Sequence, residues 1–425
     1  MEFVTMLAMV GCFLLLVVLF KFPAALATTG AALVGLAFSG NFNPDGLRHL
    51  VEGSFGYFDV MLIIATAMVF MKALEDAGVL QEISQRMIKR FGRRKIPLTL
   101  AAMFLVMVPG MLTGSSTAAA LTTGRFVIPV LLGAGFTAPG AAALVALGSI
   151  LGMVAPPINV PVMIIGSGID MPYVGFDLPL LILTIPPAIL FSLWAAWGAR
   201  GQVEEGGLEA AQTAEEPLPG FKVYIPLLVV LLLMIGSRGW GGKLDVGIPL
   251  MFVLGILAAL VCGRPVALRQ TVVSGIRLVL PVLGILVGAG MFVQVMTVAG
   301  VRGLIVTTAL DMPEKSLLVA AALVLPLFGA ISAYASSSVL GVPIVLALLG
   351  RNEIVTAAAL SLMAGLGDLI PPIAIVPSLV TQAVDPTAQL RRETLKRCFL
   401  PAVCLLIWAF IVLYNAGWIG RLVRL

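Results

Sequence analysis

Charge and histidine are what this sequence has least of. Only 11% of its residues are Asp, Glu, Lys or Arg, and one histidine, His49, occurs in 425 residues. A soluble chain of ordinary composition carries about 25% charged residues. With one histidine, no histidine relay or His-rich metal cluster can be assembled. The four cysteines (Cys12, Cys262, Cys398, Cys404) form no CxxC pair and lie within or beside apolar runs, which argues against a disulfide framework or a zinc knuckle. No nucleotide-binding loop and no paired carboxylates at membrane depth occur, so the sequence argues against an enzyme. The formal net charge of +5 does not point to nucleic acid, because the cations fall between apolar runs.

Apolar residues, at 60%, are what the chain has most of. Runs near the length needed to cross about 30 Å of hydrocarbon recur from end to end, predicting an all-α polytopic membrane protein. Residues 4–20 are read as a first span rather than a removed signal peptide, and 22–39 as a second. A polar loop at 41–54 precedes a span at 57–77 and a basic amphipathic arm from Leu80 to Lys95. The basic clusters at 86–95 and 391–397 are assigned to the cytoplasm.

Two kinds of interruption then occur in each half. Between Pro97 and residue 133 the apolar run breaks at Gly114-Ser115-Ser116-Thr117. Its sixteen-residue first limb is too short to cross, so 97–133 is read as a re-entrant hairpin with its tip inside the membrane. The run 138–169 is long enough to cross but is broken at Gly152–Pro157, where proline removes a donor. A span at 178–198 and a Glu- and Gly-rich linker at 206–220 follow. The second half repeats the plan, with spans near 222–236, 246–262 and 272–298, an arm at 300–314, a hairpin at 316–350 with its tip near 329–338, a broken run at 354–384 and a last span at 399–418. Gly114 to Gly152 and Gly329 to Gly367 are both 38 residues apart. Five crossings per half is an odd number, so residues 1–205 and 221–425 are expected to be inverted repeats, each of five spans plus one hairpin, with both tips meeting near the midplane.

Opened backbone of this kind suits ion or anion binding, since carbonyls face cations and helix N-termini face anions. A small-residue packing patch is the alternative for a lone Gly-Ser-Ser-Thr. Asp368, inside the second break, could ligate a cation or carry a proton, or serve as a salt-bridge partner or helix cap. Arg125 is placed near the interface, where an arginine can snorkel. The hydroxyl and amide groups of Ser116, Thr117, Asn159, Ser332, Ser336 and Ser337 are the substrate-binding candidates.

Gly114-Ser115-Ser116, Gly124, Ile128-Pro129, Gly133-Ala134-Gly135-Phe136 and Gly152-Met153-Val154-Ala155-Pro156-Pro157 resemble the first-repeat signature of the large membrane subunit of tripartite ATP-independent periplasmic (TRAP) transporters. Gly329, Pro343 and the 365–372 stretch resemble the second. The resemblance implies a Na⁺-driven importer of small organic anions, such as dicarboxylates or sugar acids, in a bacterial inner membrane. It implies two partners, a small four-helix membrane subunit and a periplasmic solute-binding protein. It also implies an elevator in which a transport domain, holding hairpins and broken helices, moves against a scaffold. Sodium sites carried over from the family fall on Ser115, Ser116, Gly148, Met153, Val154 and Pro156, and on Gly329, Gly367 and neighbours, to which Asp368 is added here. Departures are Ala333, where the family often has an acidic residue near the second tip, Asp368, where it is usually uncharged, and Ile158, where serine is common. The alternative is a stand-alone dicarboxylate-type carrier without a binding protein, open to H⁺ coupling.

Overall fold

The structure, a computed structural model, describes residues 1–92, 94–199, 220–239, 246–371, 373–384 and 387–423. Ten helices lie before the polar linker: α1 (Glu2–Leu14, continued by a π turn, Leu15–Leu19), α2 (Ala24–Phe38), α3 (Pro44–Ser54), α4 (Phe58–Asp76), α5 (Val79–Phe91), α6 (Lys95–Thr113), α7 (Ser116–Gly133), α8 (Ala138–Val154), α9 (Val160–Gly168) and α10 (Asp177–Gly198). After it come α11 (Ile225–Gly239), α12 (Ile248–Cys262), α13 (Leu268–Val298), α14 (Val301–Leu310), α15 (Glu314–Gly329), α16 (Ala333–Ala347), α17 (Glu353–Gly365), α18 (Ile375–Val384), α19 (Ala388–Tyr414) and α20 (Ala416–Leu422). No strand is formed among the described residues. Seven of the helical stretches are long and apolar enough to cross a membrane, and several shorter apolar helices accompany them. The protein is therefore an all-α multi-pass membrane protein.

The stretch 97–133 forms two helices, α6 and α7, and both are among the seven long and apolar enough to cross, so the first limb is not too short as its sixteen residues suggested; the expected broken run at 138–169 is α8 and α9 with an extended stretch between them. Another expectation fails outright. The stretch 41–54 is not a loop: Asn43 accepts from Gly46 N (2.8 Å), Pro44 occupies the first helical position, and α3 runs to Ser54. His49 sits exposed on that helix, 3.1 Å from Glu52. The second tip is also narrower than 329–338, since α15 ends at Gly329 and α16 starts at Ala333. Ser336, Ser337 and Ser338 are therefore helical, with a π turn at Ser337–Gly341. The linker at 206–219, Arg93 of the first basic cluster, and Pro372 of the second break lie outside the described residues.

Burial orders the layers. Every residue of α8 from Ala141 to Val154, and of α17 from Val355 to Gly365, is buried. A helix apolar on all sides belongs at the centre, and small residues let its neighbours approach closely. Gly148 shows how closely: a Cβ there would stand 3.0 Å from Met103 Sδ and Val106 Cγ1 of α6. One large core gathers α6 to α8, α10, α15, α17 and α19. A second joins α4, α11, α12 and α13, and it also takes in Leu112, Ala118, Ile158, Val160 and Tyr334 from the hairpins and the first break. The interrupted segments thus lie where the two cores touch.

Candidate functional site

The first interruption is built from residues that cannot continue a helix. Gly114 takes φ +62°, a left-handed conformation that glycine adopts without penalty, and ends α6. Ser115 then caps α7, its Oγ accepting from Ala118 N at 3.3 Å. At the first break, α8 stops at Val154 because residues 156 and 157 are both proline. The Met153 carbonyl would look three and four residues ahead for its donor and finds only these prolines, which have no N–H. Asn159 restarts the chain. Its Oδ1 accepts from Val162 N (3.0 Å), and its Nδ2 donates to Val154 O and Ser361 Oγ, both at 2.9 Å.

The second interruption follows the same logic. Ser332 caps α16, its Oγ accepting from Ala335 N at 3.3 Å. After α17, a 3₁₀ turn at Leu366–Leu369 leads to Pro371 and Pro372. The Asp368 carbonyl stands to these prolines as the Met153 carbonyl stands to Pro156 and Pro157, with both local donors missing. The tips press on the breaks through bare backbone. A Cβ on Gly152 would fall 2.5 Å from Met107 O, and one on Gly110 would fall 2.6 Å from the Gly152 carbonyl carbon. A Cβ on Gly367 would fall 2.0 Å from the Gly329 carbonyl carbon. The glycine pairs that touch are therefore Gly110 with Gly152 and Gly329 with Gly367. The equal spacing of 38 residues joins positions that do different things, because Gly114 supplies a turn whereas Gly329 supplies a close approach.

Two hydrogen bonds tie the first tip to the second half. Ser116 Oγ donates to Asp368 Oδ2 at 2.5 Å, across 252 positions of sequence. Tyr334 Oη donates to Gly114 O at 3.1 Å. Asp368 is 9% exposed, and among the described residues no cationic side chain pairs with it. Of the two structural alternatives for this residue, the salt bridge is not formed.

Each predicted site residue has a definite place. Ser115, Ser116, Met153, Val154, Gly329, Gly367 and Asp368 lie in the tips and breaks, all buried. Pro156 lies in the extended stretch after α8, whereas Gly148 is an interior residue of α8 held against α6. Thr117 is the only one of this group that is half-buried rather than buried, and its Oγ1 lies 3.0 Å from Ser115 Oγ. Ser336 Oγ donates to Leu325 O (2.8 Å) and Ser337 Oγ to Ala333 O (2.9 Å), so both hydroxyl protons are engaged inside the fold. The Asn159 amide is likewise occupied by protein partners. Arg125, half-exposed at the middle of α7, meets Glu75 at 2.5 Å, and Lys72 meets Glu75 and Asp76 at 3.0 and 2.7 Å. Reasoning from sequence missed Tyr334, Gly110 and Ser361. A tyrosine two residues past a tip, in a chain with only five, was the available signal for the first. Among the described residues no group of three or more His, Cys, Asp or Glu comes together, so a metal bound here would meet hydroxyl and carbonyl oxygens with one carboxylate.

Two solved transporter structures share this fold. The YdaH transporter of Alcanivorax borkumensis is 17% identical, with a TM-score of 0.61 over 89% of this chain and 90% of that one. MtrF of Neisseria gonorrhoeae, described with a class of antimetabolite efflux pumps, is 13% identical, with a TM-score of 0.63 over 93% and 94%. At such identities the likeness speaks for the fold alone. No curated protein matches the sequence. A family model described as "Tripartite ATP-independent periplasmic transporter, DctM component" matches residues 3–419, so the chain belongs to the DctM family, the large membrane component of TRAP transporters.

Proposed function

We propose that this chain is the permease subunit of a Na⁺-coupled importer of a small organic anion, with a small four-helix membrane subunit and a periplasmic solute-binding protein as partners in a bacterial inner membrane. The observation that carries the reading is the Ser116–Asp368 contact, which joins the first tip to the second break beside carbonyls whose helical donors are prolines. Na⁺ is a hard cation and takes carbonyl, hydroxyl and carboxylate oxygens. Ser115, Ser116, Met153, Val154, Pro156, Gly329, Gly367 and Asp368 supply such groups or shape the backbone that presents them. Gly148 acts through packing. The anion is received at the half-buried Thr117 with Ser116 and Ser332, near the N-termini of α7 and α16, where the helix dipole favours negative charge. The two halves are inverted repeats, and the body holding the hairpins and broken helices moves as an elevator against the rest.

A second reading has one observation in its favour. A buried carboxylate whose only side-chain hydrogen-bond partner among the described residues is a hydroxyl suits a carried proton as well as a bound cation, which favours a stand-alone, H⁺-coupled carrier. Uptake by the purified chain in proteoliposomes, with and without its partners, under separate Na⁺ and pH gradients, tests both. Uptake that needs the partners and follows Na⁺ supports the proposal. Uptake by the chain alone that follows the pH gradient and ignores Na⁺ overturns it in favour of the second.

A further inference from the structure

The start of α19 carries a second site of a different kind. A polar cavity of about 340 Å³ is lined by Ser378, Thr381 and Gln382 of α18 and by Arg391, Arg392 and Leu395 of α19. A groove of about 390 Å³ lies beside it, walled by Leu369, Pro371, Lys396, Phe399, Val403 and Leu406 among other residues that, Lys396 apart, are apolar. Leu395 lines both, so the two spaces adjoin. One end is cationic and the other a hydrocarbon slot.

Among the described residues the charge here is unanswered. Arg391 donates to a neutral acceptor, Ile373 O, at 3.0 Å, and among the described residues no carboxylate pairs with Arg391, Arg392 or Lys396. Glu393, on the same turn, is exposed and engaged by Gln389 Nε2 at 3.1 Å. The groove side presents Phe399, 71% exposed, to the surroundings of a membrane helix. Length also agrees. From Arg391 to Leu406 is fifteen residues, about 22 Å of helix, close to one leaflet of a bilayer about 40–45 Å thick including its headgroups.

We propose that the cavity and groove along α19 together bind one anionic phospholipid, with the phosphate at Arg391, Arg392 and Lys396 and an acyl chain along Phe399, Val403 and Leu406. Basic pockets between membrane helices suit anionic headgroups, and lysine stems lie along apolar surface while the ammonium reaches outward. The acyl chain also packs on Leu369 and Pro371, which follow Asp368 in the second break, so occupancy bears directly on that break.

Native mass spectrometry of the purified full-length chain in detergent tests this, with phosphatidylglycerol, phosphatidylcholine of the same acyl chains, and soluble glycerol phosphate as separate probes. Phosphatidylglycerol is expected to be retained over phosphatidylcholine by about tenfold or more. The triple variant Arg391→Gln, Arg392→Gln, Lys396→Gln should lose that preference, Val403→Trp should lose both lipids, and Arg421→Gln should match the parent. Where the triple variant does not fold, the single Arg392→Gln substitution serves, with a partial loss expected and Arg392→Lys restoring it. Equal retention of the two lipids by the parent, a preference that survives loss of the three cations, or displacement of phosphatidylglycerol by glycerol phosphate alone would each overturn the proposal.

Discussion

Replacing Asp368 by Asn separates a ligand from a strut. The carboxylate is 9% exposed, and among the described residues Ser116 Oγ, at 2.5 Å, is its only side-chain hydrogen-bond partner. Burying one ion costs several kcal/mol even after relaxation, and a hydrogen bond to a charged group returns only about 1.5–3 kcal/mol. A net penalty of a few kcal/mol therefore stands whenever no cation or proton is bound. Asn keeps an acceptor oxygen for Ser116, worth about 1 kcal/mol, and carries no charge to desolvate. In Na⁺-free buffer the Asp368→Asn variant should melt above the parent, by about 2–4 °C if each kcal/mol moves the midpoint of a chain this size by a degree or two. Adding Na⁺ at a hundred times its dissociation constant should stabilise the parent by about 2.7 kcal/mol and the variant far less. Thermal unfolding in one detergent, followed by tryptophan fluorescence across a Na⁺ series, reads both effects. A variant that melts below the parent in Na⁺-free buffer and still shifts with Na⁺ would refute the reasoning, because Asp368 would then be a structural acceptor only.

Three further substitutions and one control follow from the geometry. Gly367→Ala puts a methyl 2.0 Å from the Gly329 backbone, so overpacking of about 1–3 kcal/mol or more is expected as lost monodispersity on size exclusion, whereas Gly303→Ala, with open space around it, should behave as the parent. Asn159→Ala removes a helix cap and leaves Val154 O and Ser361 Oγ without its donor, a loss of about 2–4 kcal/mol that a melting curve should register as one of the larger drops among these variants. Tyr334→Phe deletes one bond to Gly114 O, so the midpoint should fall only by what about 0.5–1.5 kcal/mol allows, while the Na⁺ concentration for half-maximal stabilisation rises. An unchanged Na⁺ requirement would detach Tyr334 from the ion site.

The helix plan was largely legible because its signals are local. Proline pairs at 156–157 and 371–372 and the glycine at 114 stop helices whatever surrounds them. Where a local signal was passed over, the reading failed: Asn43-Pro44 is a cap followed by a first-turn proline, and counting 41–54 as polar loop ignored it. By sequence Ser336 and Ser337, on the descending arm of the second hairpin, suit substrate lining and helix–helix hydrogen bonding equally well. In the structure both lie past the Ser332 cap, and their protons are taken by carbonyls of α15 and of the preceding turn. The spacing of 38 residues pointed at the right segments through the wrong equivalence, since a turn glycine and a contact glycine look alike in one dimension.

The sequence by itself determined that the chain is an all-α membrane protein, because hydrophobic length, proline and glycine act within a few residues of where they stand, and its Gly-Ser-Ser and Gly-Met-Val-Ala-Pro-Pro motifs carried the resemblance to TRAP large subunits. What only the tertiary structure decided is who meets whom. That Ser116 reaches Asp368, that Tyr334 closes on Gly114, and that Asn159 is consumed by Val154 and Ser361 depends on helices far apart in the chain packing to a few tenths of an ångström. No local rule carries that information, because the contacts arise from the shapes of two cores meeting.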